Sequence, residues 1–116
     1  MYAPLHQIYR DPMFQANDGC TDVCFDAGVS NFEVLNDEGI STSTHLQTCW
    51  DNFFLVSSRA NIVIDRVAAM DESLFDSPED RDQMIAEAHF MRAYAYMELS
   101  DLFYRVPLVL ESGVDV

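Results

Sequence analysis

Glu87–Val109 reads EAHFMRAYAYMELSDLFYRVPLV, an alanine- and aromatic-rich helical segment running directly into a proline-stopped one. Ala86, Ala88, Ala93 and Ala95 are small enough to let another helix approach closely, while Phe90, Tyr94, Tyr96 and Phe103 are expected to supply the large buried area between them. Pro107 has no amide donor and disfavours the α region at Val106, so the helix cannot continue past Val106 and Val106–Leu110 is expected to be extended.

Working upstream, Ser77-Pro78-Glu79-Asp80 is a helix start, with serine as N-cap, proline at the first helical position and acids in the first turn. It predicts a helix over about Pro78–Phe103. A second helix is predicted from about His45 to Ala69. There Leu46, Trp50, Phe53, Ser57, Ala60, Ile64 and Val67 recur at alternating spacings of four and three, and Phe54, Val56, Ile62 and Val63 widen the stripe. Trp50, on this stripe, is expected to pack in the core. Ser73–Ser77 makes the turn between the helices. Leu5, Ile8 and Tyr9 sit at helical spacing in Met1–Arg10, which reads as a short helix ending near Asp11-Pro12. Between these segments, residues 11–44 are rich in Asp, Asn, Gly, Ser and Thr without sustained period, and read as a long irregular loop. The expected organisation is therefore a loop over 11–44, a helical hairpin over 45–103 and an extended tail over 104–116.

Composition sets the outer limits. The chain has 116 residues, 49% of them apolar, and a formal charge of -14 with arginine as its only strongly basic residue type. That field opposes nucleic acid and anionic lipid and does not oppose a neutral partner such as a sugar polymer. No apolar run approaches the roughly 20 residues that span a bilayer. The start, MYAPLHQIYRDP, lacks the basic and apolar regions of a secretory signal. Cys20, Cys24 and Cys49 are odd in number, which excludes a full intramolecular disulfide framework. Together with His45 they lack the compact spacing of a zinc site, so no metal or other cofactor is expected. Cys20 does not follow the apolar stretch that a lipidation site needs. His6, His45 and His89 share no metal-ligand spacing, and the acids around the turn, Asp71 to Asp82, are placed as a solvated face.

The run Trp50-Asp51-Asn52-Phe53-Phe54, the triplet Arg59-Ala60-Asn61 and the segment 87–109 together resemble the SusD/RagB family of Bacteroidota surface glycan-binding lipoproteins. Its pattern is a Trp-x3-aromatic run leading to R-A-N, then E-A-x-F-x-R-A-x-x-Y, then L-F-G-x-V-P-L. The resemblance covers about residues 17–110. It implies an all-α fold built on tetratricopeptide-like hairpins, of which this chain would be an N-proximal part following a signal peptide and a lipid-bearing cysteine. It further implies a non-enzymatic protein that binds oligosaccharide at the outer face of the outer membrane and passes it to a SusC-like TonB-dependent transporter. Thr21-Asp22-Val23-Cys24 resembles the family's T-D-E motif ahead of a glycan-site loop, with Val23 in place of the acid. Following it, Phe25, Asp26, Asn31 and Phe32 are residue types that a sugar site uses, flat apolar faces with amides and carboxylates. Arg59, Asn61, Glu87 and Arg92 lie on closely packed helices and are expected to form structural hydrogen bonds or ion pairs rather than ligand contacts. The alternative is a helical-repeat scaffold binding protein segments. A glycosidase would require paired carboxylates across a cleft, which no spacing here supplies.

Overall fold

The computed structural model describes residues 2–10 and 44–113, and within them the chain is all-α with no strand. The order is α1 (Ala3–Arg10), α2 (Thr44–Ala69), a 3-10 turn (Glu72–Leu74) and α3 (Pro78–Phe103). The chain divides into two compact units, Tyr2–Asn52 and Phe53–Val116. In the first, Pro4, Ile8 and Cys49 are buried, and the loop expected at 11–44 lies, apart from Thr44, outside the described residues.

In the second unit the two long helices run antiparallel. Contacts pair the end of α2 with the start of α3 (Val67 with Arg81), its middle with the middle (Asn61 with Arg92) and Phe54 with Tyr96. The start of α3 is as its sequence dictates. Ser77 Oγ accepts from the Asp80 amide at 3.3 Å and Asp80 Oδ2 accepts from the Ser77 amide at 3.0 Å, a reciprocal cap that satisfies two otherwise orphaned donors. The connection is pinned from the other side by Arg81, which donates to the terminal carbonyls of α2 at Val67 (3.3 Å) and Ala68 (2.6 Å) and pairs with Glu72 at 3.1 Å. Guanidinium at a helix C-terminus meets both the last carbonyls and the negative end of the dipole.

The core between α2 and α3 is Phe53, Val56, Ala60 and Val67 against Ala88, Met91, Ala95 and Leu99. Three expectations are corrected. Phe90 is 68% exposed, because it follows Ala88 by two residues and so points about 200° away from the buried stripe; Ala86 and Ala93 share its outward side and are exposed as well. Trp50 is only half-buried, and the large aromatic sealed in the core is Phe53. Tyr94, Tyr96 and Phe103 are half-buried rather than core.

Helix α3 stops at Phe103, ahead of the limit set by Pro107. Tyr104 reverses the chain with φ 62 and ψ -57, and the Arg105 amide donates to the Phe103 carbonyl at 2.6 Å. This is the γ-turn geometry that is rare and strained for an L-residue. The sequence pattern quoted above has glycine at this position, the residue for which positive φ costs least. Here a tyrosine takes it, with Arg105 over its ring at 5.8 Å.

Candidate functional site

The turn at Tyr104 carries the tail back onto the helices, where three of the sequence motifs meet. Asn61, the last residue of Arg59-Ala60-Asn61, is 1% exposed. Its amide donates to the carbonyls of Val109 at 3.0 Å and Glu111 at 3.3 Å, and its carbonyl accepts from Arg92 Nη1 at 2.9 Å. Both amide hydrogens are thus used, which is what a buried asparagine needs to offset its desolvation. One turn further along α3, Tyr96 clasps the same tail residue in both directions. Its hydroxyl donates to the Val109 carbonyl at 3.1 Å and accepts from the Val109 amide at 2.8 Å. Arg92 also reaches His89 Nδ1 at 3.1 Å; since guanidinium only donates, Nδ1 is the acceptor there. The expected structural bonding is seen for Asn61 with Arg92, between the helices, and for Glu87, which accepts from Gln83 within α3.

Beside this junction lies a half-open cavity of about 190 Å³ lined by Phe54, Ser57, Ser58, Asn61, Val109 and Glu111. The Phe54 ring meets Tyr96 edge-to-face with centroids 6.2 Å apart. Ser57 is 2% exposed, and its hydroxyl has no hydrogen-bond partner among the described residues. The cavity's lining residues are an aromatic, two serines and the Asn61–Val109–Glu111 junction, and the Ser57 hydroxyl is sealed off from solvent.

Phe25, Asp26, Asn31 and Phe32, the residues expected to meet glycan, lie outside the described residues, as do Cys20 and Cys24. Ser57, Ser58 and Glu111 were not singled out by the sequence. Ser57 falls on the apolar stripe of α2, where a small residue reads as packing, and Glu111 reaches the cavity only through the reversal at Tyr104. Among the described residues no group of His, Cys, Asp or Glu is placed to hold a metal ion.

The described residues thus form an all-α hairpin in which Asn61 and Tyr96 hold the tail beside a small cavity. Over residues 3–116 the sequence matches the SusD-like family described as starch-binding and associating with the outer membrane, and the chain belongs to that family. Membership carries glycan binding in association with the outer membrane. No helix among the described residues is long and apolar enough to cross a membrane. Comparison with curated proteins and with solved structures returned no match.

Proposed function

We propose that this chain serves in a non-catalytic, surface-exposed lipoprotein of a Bacteroidota nutrient-uptake system. It captures neutral oligosaccharide and passes it to a SusC-like TonB-dependent transporter, with the membrane attachment made by a lipid anchor outside residues 1–116. The observation that carries the reading is the family match across residues 3–116. The charge of -14 favours neutral over acidic glycans. Phe25, Asp26, Asn31 and Phe32 are the proposed glycan contacts of the loop, stacking on sugar C–H faces and pairing with hydroxyls.

The test is affinity for a series of neutral oligosaccharides, beginning with malto-oligosaccharides, in the full natural polypeptide and in its Phe25→Ala/Asn31→Ala form. Loss of one aromatic face and one amide bond, each on the order of 1 kcal/mol, is expected to weaken binding roughly tenfold to thirtyfold with folding intact. Equal affinities would remove the loop from the site.

A further inference from the structure

The tail held by the Asn61 junction is gripped from one side only. Tyr96 takes both the amide and the carbonyl of Val109, at 2.8 Å and 3.1 Å, and Asn61 takes the carbonyls of Val109 and Glu111. A residue whose N–H and C=O point the same way, with the carbonyl two residues on pointing there too, has the geometry of an extended strand. In a strand, successive residues turn their polar groups to opposite sides. Leu108 and Leu110 therefore direct their N–H and C=O groups away from the helices, and neither residue takes a hydrogen bond among the described residues. Their side chains are 67% and 50% exposed. By the same alternation Pro107, whose missing N–H would interrupt a ladder, falls on the gripped side. The result is a short, apolar strand edge with its backbone groups open, a feature that proteins ordinarily pair, cover or blunt with charge.

We infer that this edge is an interaction surface for a second copy of the same chain, the two Leu108–Leu110 segments pairing antiparallel about a two-fold axis at Val109. In that register Leu108 of each copy lies opposite Leu110 of the other as a hydrogen-bonded pair, so every open backbone group of both segments finds a partner. The leucine side chains then share one face of the ribbon and cover the apolar surface that each copy exposes. Charge permits the contact locally even though the formal charge of -14 opposes it globally. Residues 102–110 contain no acid and one arginine, and the register sets Glu111 across from the second copy's Pro107 instead of another carboxylate. The pairing is isologous and closes on itself. Each strand's other edge is already held by Tyr96 and Asn61, so assembly stops at two copies. An edge this short gives a weak, reversible dimer.

The test is sedimentation velocity of the full natural polypeptide from about 10 µM to about 1 mM, the range in which a small interface associates. Its Leu110→Pro and Leu110→Ala forms are run beside it, with melting temperatures at the dilute end and amide hydrogen exchange at both ends. Leu110→Pro removes one outward N–H and nothing that Asn61 or Tyr96 uses, and Val109 is already extended, as a residue before proline must be. It is expected to keep the parent's melting temperature and to stay monomeric. Leu110→Ala retains the N–H and is expected to dimerise roughly tenfold more weakly, for the lost apolar area alone. In the parent, the Leu108 and Leu110 amides are expected to exchange more slowly as concentration rises, while Val109, bonded within its own copy, is expected to exchange at one rate. A parent that is monomeric across the range overturns the inference. Protected Leu108 and Leu110 amides would then show that another segment of the same polypeptide covers the edge, and unprotected ones that the edge stays open. Dimerisation of Leu110→Pro at the parent's strength puts the contact elsewhere, and equal loss in both variants reduces it to side-chain contact; either overturns the strand pairing. If the proline form does not fold, exchange in the unaltered protein decides, and Leu108 and Leu110 rates independent of concentration overturn the inference.

Discussion

Replacing Asn61 by alanine isolates the junction on which the tail depends. The substitution deletes two neutral hydrogen bonds, to the carbonyls of Val109 and Glu111, and one from the charged Arg92. Neutral bonds contribute about 1 kcal/mol each and a bond to a charged group about 1.5–3 kcal/mol. Against that sum, Glu111 is exposed and Arg92 half-buried, so both recover part of their loss from water, and Val109 retains Tyr96. The expected net cost is about 2–4 kcal/mol. Chemical unfolding monitored by far-ultraviolet circular dichroism measures it, and hydrogen exchange at the Val109 amide reports whether the tail has come away. Asn61→Asp sharpens the comparison. A carboxylate keeps Arg92 but turns oxygen against two carbonyl oxygens, so the tail is expected to exchange faster while the bond between the helices survives. An Asn61→Ala protein within about 0.5 kcal/mol of the parent, the range of an ordinary surface change, with Val109 exchange unaltered, would refute the assignment of Asn61 as the clamp.

Tyr104→Gly is expected to stabilise the protein by about 1 kcal/mol, because glycine takes φ 62 without the strain tyrosine bears there, less its own entropic cost in the unfolded chain and the lost contact with Arg105; a melting temperature below the parent's would count against a strained turn. Tyr94 is pushed up to about 12 by desolvation first and then by its hydrogen bond to and charge interaction with Glu98. Its folded-state pKa is raised, so its contribution is fully present below about 10, the unfolded value, and is lost as pH rises through 12. Spectrophotometric titration should show one tyrosine ionising late, and the parent should lose more stability than Tyr94→Phe between pH 10 and 12. Identical pH profiles for the two would contradict this.

Local signals carried the reading where the physics is local. Ser77-Pro78-Glu79-Asp80 holds its own capping box, so the start of α3 needed no tertiary information, and Pro107 limited its end for covalent reasons. Which way α3 faces was not legible. Ala86, Phe90, Ala93 and Met97 form one apolar side and Ala88, Met91, Ala95 and Leu99 another, so periodicity offers two candidate faces and only packing against α2 selects the second. That choice exposes Phe90 and stacks it with Tyr94 along the helix, centroids 6.4 Å apart and planes 13° from parallel. Arg59-Ala60-Asn61 and the Val-Pro-Leu-Val segment were recognisable as motifs, but their meeting depends on the reversal at Tyr104. Nothing about a tyrosine advertises positive φ. The cavity inherits the same dependence, since Val109 and Glu111 form part of its wall only after the turn is made. Residues 25–32 were picked out by the motif resemblance just ahead of them together with their residue types, and they lie outside the described residues.

The central claim is capture of a neutral glycan without chemistry. It is tested most directly by titrating the full natural polypeptide with maltoheptaose in a calorimeter and assaying the same solution for new reducing ends after prolonged incubation. Saturable binding with no new reducing ends, and no binding of an acidic polysaccharide under the same conditions, is the expected result. Release of reducing ends, or binding of the acidic polymer in preference to every neutral oligosaccharide tried, would contradict it.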